Sequence, residues 1–272
     1  MSHLKYQGVA EKLSEGVTLL QKIDGTNAPL NYIEAKVLAM ATSSEYQEIL
    51  EKKEVCVVVL TGKVMVSDSQ QTFAHLGTRK SVFEKIPTDS VYLSAGETLT
   101  IQAETDAKVI LCYAPSEKKL PTALIKATDN QIEHRGIYQN QRLVHTILSD
   151  TSPVSEKLLV VEVFTDGGNW SSYPPHKHDE DNLPNESLLE ETYYHEMDPS
   201  QGFVFQRVYT DDRSLDETMT VENGEMVVVP KGYHPVAVPD GYDSYYLNIM
   251  AGPIKKWQFK NDVAHEWIID RK

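Results

Sequence analysis

Apolar residues recur along this chain in short runs separated by turn formers, with little sign of a sustained helical period. In the first half the runs are EVCVVVLTG (54–62), KVMVS (63–67), SVYLSAG (90–96), TLTIQA (98–103) and KVILCYA (108–114). In the second they are KLLVVEVFT (157–165), ETYYHEM (191–197), FVFQRVYT (203–210), EMVVVPKG (225–232) and SYYLNIMAG (244–252). Rich in Val, Ile, Tyr and Thr and bounded by Gly, Pro, Asn and Asp, they predict strands. So many short, turn-bounded strands predict barrels or sandwiches. One short helix is expected near 43–53, in SSEYQEILEKK.

The two halves repeat each other weakly. Setting SVYLSAGETLTI beside EMVVVPKGYHPV brings Val91 onto Val227, Ser94 onto Pro230, Gly96 onto Gly232 and Thr98 onto His234. AKVILCYAP (107–115) parallels DSYYLNIMAGP (243–253), and a Glu-led strand opens each copy, Glu54 in one and Glu191 in the other. A duplicated β unit accounts for these matches. The boundary is expected between about 115 and 155, giving an N-terminal barrel over 1–130 and a C-terminal barrel over 131–272.

The 272 residues suffice for two domains of ordinary size. A net charge of −14, with 26 basic residues scattered among 40 acidic ones, argues against nucleic acid and against an anionic membrane surface. A small anionic ligand remains compatible, because a few local cations can outweigh the global field. Cys56 and Cys112 lie in apolar runs and read as reduced core residues. With no apolar leader and no stretch of about 20 apolar residues, the expectation is a cytoplasmic protein. Asn185-Glu186-Ser187 then has no meaning as a glycosylation acceptor.

The chemistry concentrates in GGNWSSYPPHKHDEDNLPNESLLEETYYHE, which starts at Gly167. His176 and His178 are two apart, so on a strand both rings face one side. Glu191 opens the next strand, and His234 follows a strand and tight turn, Gly224-x5-Pro230-x-Gly232-x. Three imidazoles and one carboxylate suit a divalent transition metal with open positions for substrate: zinc first, with manganese or iron as alternatives.

This constellation resembles the two motifs of the cupin superfamily, G-x5-HxH-x3,4-E-x6-G and G-x5-PxG-x2-H-x3-N. It departs from them in a long insertion between His178 and Glu191 and in one residue missing before His234. The insertion makes Glu190 a rival to Glu191; analogy with cupins favours Glu191. The resemblance implies an all-β bicupin of two jelly-roll-like barrels in tandem. The first barrel has no HxH before Glu54 and Thr98 where His234 stands, so one metal per chain is expected.

SSYPPHKHD, NLPNESLLEETYYHE, GFVFQRVYTDDRSLDET, VVVPKGYHPV and GYDSYYLNIMAGP, with an RG-x3-N-x-R stretch from Arg135 to Arg142, carry a closer resemblance. Over essentially the whole chain it is similar to the 5-deoxy-glucuronate isomerase family of bacterial myo-inositol catabolism. The resemblance implies a metal-dependent aldose–ketose isomerase converting 5-deoxy-D-glucuronate to 5-dehydro-2-deoxy-D-gluconate. The alternatives are the related ketol-isomerase of pectin breakdown, acting on 4-deoxy-hexosulose uronate, and a cupin Fe(II) dioxygenase.

Such an isomerisation needs a base between adjacent carbons. Alternation along the strand puts Tyr193 and His195 on the face of Glu191, with His195 as candidate base and Glu190 as a further candidate pointing the other way. The sugar carboxylate needs a cation. Arg207 shares a face with Phe203, Phe205 and Tyr209 and is the expected clamp, with Arg142 and Lys231 behind it. Tyr246 and Asn248 share a face of the late strand and are candidates for substrate hydroxyls. Bicupins commonly self-associate, so a homo-oligomer is expected.

Overall fold

A computed structural model describes residues 3–271. Each half builds one seven-stranded and one four-stranded antiparallel sheet, and the halves correspond strand for strand. The large sheet of the first half runs in the order Ala123–Ile125, Ser90–Leu93, Lys53–Thr61, Ala107–Pro115, Glu34–Met40, Val17–Ile23 and Glu11–Ser14. Its counterpart runs Lys5–Tyr6, Met226–Val229, Glu190–Asp198, Asp243–Ala251, Leu159–Thr165, Arg142–Leu148 and Gln131–Arg135. The halves exchange their leading strands: Lys5–Tyr6 precedes the first barrel but completes the sheet of the second, and Ala123–Ile125 does the reverse. A closed sheet edge removes unpaired amides that would otherwise invite pairing with other chains.

The register corrects the alignment of the repeats at one point. Val55 pairs with Leu93 and Glu54 with Ala114, as Glu191 pairs with Val229 and Glu190 with Ala251. Glu54 is therefore the counterpart of Glu190, and an apolar Val55 occupies the position of Glu191. The expected helix near 43–53 is also absent. Glu45–Ile49 is a strand paired along Thr98–Gln102, and tertiary pairing overrides the helix-like spacing of its charges. Among the described residues the helical segments are four single 3-10 turns. None of them is long and apolar enough to cross a membrane.

Two apolar cores result. One fills the first barrel with residues such as Leu38, Val57, Val66 and Ile101. The other runs through the second barrel and between the two large sheets, and takes in Cys56, Cys112, Val160, Tyr194 and Ile249. The two cysteines are free and oppose each other across neighbouring strands. Buried inside this layer is an ion pair between the halves, Arg79 Nη2 to Glu162 Oε1 at 2.5 Å. The remaining guanidinium protons go to the carbonyls of Leu60, Ile86 and Val59, and Tyr245 donates to Glu162 at 2.8 Å. Burial pushes the Glu162 carboxyl up, but the Arg79 charge and these donors outweigh it and hold it at about 2.

Removing one partner of a buried pair strands the other charge. Arg79→Met should cost about 3–5 kcal/mol in urea unfolding, and replacing both partners by apolar residues should recover much of that. Because the folded value of Glu162 lies below its ordinary 4.5, the contribution is full above that pH and is lost as pH falls toward about 2. A cost under about 1 kcal/mol for Arg79→Met would contradict this account.

Candidate metal and substrate site

The strand Glu190–Asp198 lies between Asp243–Ala251 and Met226–Val229 in the large sheet of the second barrel. Glu191 stands at its entry and points inward. His178 and His234 both approach the same oxygen of Glu191, Nε2 to Oε2, at 2.8 Å and 3.0 Å. His176 completes the group, with a nitrogen of each of the three histidines within 4.8 Å of one another. The other ring nitrogens are fixed by the backbone: His178 Nδ1 lies 3.0 Å from Leu189 O, and His234 Nδ1 2.8 Å from Gly232 O. That arrangement sets the tautomer and aims each Nε2 at the centre.

The second oxygen of Glu191 accepts from Asn248 Nδ2. His234 Nε2 is fully buried and, despite its 3.0 Å approach to Glu191, makes no hydrogen bond of acceptable geometry. An orphaned imidazole nitrogen converging with two others on one carboxylate fits a divalent cation. Burial pushes the Glu191 carboxyl up, but His234 and His178 outweigh it and hold it well below the usual range. Burial, then the charges of His234 and His178, drives His176 well below its ordinary value.

Lys177, between the two motif histidines, points to the opposite face as strand alternation requires. Its buried ammonium sits among Asp179 at 2.7 Å, Glu186 at 3.0 Å and Glu180 at 3.2 Å, a second acid cluster whose cation is this lysine. Asp179 also accepts from the Gly232 amide at 2.6 Å. It thereby ties the segment carrying His178 to the turn carrying His234. Gly232, at φ 95°, is required there because a Cβ would meet the Tyr209 carbonyl at 2.5 Å.

A small pocket opens over this centre, walled by Val144, Val161, Val163 and Trp257 and by polar groups of Arg135, Arg142, Ser172, His176, Glu191, Tyr246 and Asn248. Of the residues expected to meet substrate, it brings in Arg142, Tyr246 and Asn248. Arg142 donates to Asn140 O at 2.8 Å, and no carboxylate pairs with it among the described ion pairs. Arg135 opposes it directly across the neighbouring strand, with its guanidinium over the Trp257 ring and its Nε 2.6 Å from Glu133. The RG-x3-N-x-R stretch contained Arg135 but gave it no role.

Four expectations are corrected by the geometry. Arg207 faces outward, about two-fifths exposed and held bidentate by Asp216 at 2.7 Å. The inward face of Phe203–Tyr209 is Val204, Gln206 and Val208. Tyr209 lies outside the pocket too, its ring covered by Arg207 and Arg213 and its hydroxyl donating to Asp262. Lys231 is exposed and does not line the pocket. Glu190 faces the first barrel, accepting from the amides of Asn31 and Tyr32 at 2.7–2.8 Å. Strand alternation sends it away from the metal side.

His195 lies deeper in the barrel than Tyr193, fully buried and off the pocket wall, with Nε2 3.1 Å from Gln206. Burial lowers it to about 4. Tyr193 points inward as expected, its hydroxyl 3.0 Å from Ser172 Oγ.

Two tandem barrels, with three histidines and a glutamate converging in the second, define a bicupin with a candidate divalent-metal centre. The sequence model of the KduI/IolB family matches residues 8–268, and the chain belongs to that family. A 5-deoxy-glucuronate isomerase of Bacillus subtilis (strain 168) is 62% identical over 271 residues, spanning the full length of both chains. The crystal structure of an IolB-like protein from Salmonella typhimurium LT2 superposes with a TM-score of 0.93 at 45% identity, covering 98% of this chain and 99% of that one. Oxalate decarboxylase from Lactobacillus farciminis shares the fold, with a TM-score of 0.70 at 13% identity over 96% and 89% of the two chains.

If Asp179 fixes His234 through Gly232, Asp179→Ala should weaken metal affinity by roughly 10- to 100-fold, the usual cost of losing an outer-shell partner. Competition with a chelator measures it. Affinity unchanged within about twofold would remove Asp179 from this role.

Proposed function

We propose that this chain is a metal-dependent aldose–ketose isomerase acting on 5-deoxy-D-glucuronate and yielding 5-dehydro-2-deoxy-D-gluconate. The observation that carries the reading is one pocket in which a candidate metal centre lies beside two guanidiniums that no buried carboxylate neutralises. Relatives of about 60% identity bearing that activity in their names support the choice of sugar acid.

His176, His178, Glu191 and His234 would hold the ion, and zinc suits their nitrogen-rich set. When bound, the metal supplies a Lewis acid for the carbonyl oxygen and neighbouring hydroxyl. Arg142, joined by Arg135, grips the substrate carboxylate at the far end of the pocket; like charges facing across a strand pair are unfavourable until an anion lies between them. Asn248, whose Oδ1 is buried without a partner, accepts a sugar hydroxyl. Trp257 and the valines shed water from the sugar's apolar faces.

Proton transfer is assigned to Tyr246. Among the lining side chains it alone is titratable without being a candidate ligand or a guanidinium. To take a proton from one carbon and return it to the next, Tyr246 acts as the phenolate; burial pushes the phenol up, and the neighbouring serine hydroxyls and the Arg142 charge work in the opposite direction. Zinc as the resident ion, a homo-oligomeric assembly and a cytoplasmic setting complete the reading. Metal analysis, sedimentation and localisation of the native protein test these three.

Two substitutions test the chemistry by steady-state turnover of 5-deoxy-glucuronate. Arg142→Met should raise KM and cost about 2–5 kcal/mol in kcat/KM, whereas Arg207→Met should stay within about twofold of wild type. Equal effects of the two would return the clamp to the outer face. Tyr246→Phe should lower kcat by about 10²–10⁴-fold with metal content unchanged. His195→Asn losing as much as Tyr246→Phe, with the fold intact, would return the base to His195.

A further inference from the structure

Six non-glycine residues of the described chain have positive φ: Ser43, His75, Lys85, Tyr138, Ser172 and Arg213. Five of them are at least partly exposed, where little packing constrains the side chain. Ser172, at φ 49°, is buried and lines the substrate pocket. A left-handed conformation is unfavourable for any residue with a Cβ, and glycine would adopt it freely. A buried serine there needs a reason in its side chain, and strain of this kind collects at functional sites.

The Ser172 hydroxyl lies 3.0 Å from the Tyr193 hydroxyl. Tyr193 stands two residues beyond Glu191 on the same inward face, and its ring packs against Tyr246 with centroids 4.7 Å apart. The Ser171 and Ser172 hydroxyls are near neighbours of the Tyr246 phenol, but the hydrogen bond of Ser172 is to Tyr193, and Ser171 Oγ makes none of good geometry. The side chain of Ser172 therefore sits between two phenols, one next to the candidate metal ligand and one in the pocket wall.

We propose that Ser172 is a positioning residue for the isomerisation: its hydroxyl, bonded to the Tyr193 hydroxyl whose ring packs on Tyr246, directs the Tyr246 hydroxyl toward the substrate. This rests on the assignment of Tyr246 to proton transfer.

The test separates the hydroxyl from the backbone. Ser172→Gly removes the hydroxyl and relieves the strain, whereas Ser172→Ala removes the hydroxyl and keeps it. Both should lower kcat by about 10- to 100-fold with KM within about threefold, since misdirecting one group costs chemistry more than binding. Their melting temperatures should diverge, Gly equal to or a few degrees above wild type and Ala not above it. In a cycle with Tyr246→Phe, Ser172→Gly should have little further effect, because both act through one hydroxyl. Wild-type kcat in Ser172→Gly, with Tyr246→Phe impaired, overturns the inference and leaves the Tyr246 assignment standing. An unimpaired Tyr246→Phe overturns the assignment itself. A kcat that merely follows melting temperature across the Gly and Ala variants makes Ser172 structural and also overturns the inference.

Discussion

The carboxylate of Glu190 accepts hydrogen bonds from the amides of Asn31 and Tyr32 and from the Asn31 side chain, all in the first barrel. One residue on, the carboxylate of Glu191 meets His178 and His234 in the interior of the second. A strand sends successive side chains to opposite faces, so fixing Glu190 against the first barrel fixes Glu191 toward the metal position. A slip of one residue would exchange the two and put an unpaired carboxylate into each environment. Further along, Tyr193 and His195 continue the inward row, while Glu196 reaches Lys108 of the first barrel at 2.5 Å. The register of this strand is thus specified from both sides.

That constraint gives the first barrel work beyond packing. By pseudo-symmetry Glu54 does for the second half what Glu190 does for the first: it accepts the amides of Glu156, Lys157 and Leu158 at 2.7–2.8 Å. The exchanged leading strands add a second reciprocal link and the Arg79–Glu162 pair a third. With Val55 at the position of Glu191, the interior of the first barrel is an apolar block. The strand Glu190–Asp198 takes its register against that block.

The grouping of His176, His178, Glu191 and His234 was legible in the sequence because its signals are local: two histidines at strand spacing, a carboxylate at a strand start and a histidine behind a proline–glycine turn. The all-β duplication was legible for the same reason. Which face of a strand points inward was not legible at Phe203–Tyr209. The row Phe203, Phe205 and Arg207 carries the aromatics and reads as interior, yet Gln206 is the inward polar residue, because His195 is there to receive it. The exchanged strands span only two and three residues, too short for any pattern. Arg135 sat in a noted motif, but its partnership with Arg142 appears only once the hairpin aligns them. Ser172 has no sequence signal, since its distinction is a backbone angle.

The electrostatics of the pocket follow from the same geometry. A chain of net charge −14 should repel a sugar acid at long range, and screening removes most of that repulsion beyond about 8 Å at physiological salt. What decides binding is the field inside the pocket, where Arg135 and Arg142 face each other across a strand pair. Burial already pushes the Arg142 guanidinium down, and the charge of Arg135 adds to that push. Glu133 offsets part of this at Arg135, but Arg142 has only carbonyl company, so the unmet cation sits on the residue nearer Tyr246. Outside the barrel Arg207 has an ideal fork–fork partner in Asp216 and nothing left to offer an anion. An arginine's promise as a clamp depends on what already neutralises it, and by that criterion the proposed clamp belongs on the hairpin arginines rather than on the aromatic-face arginine.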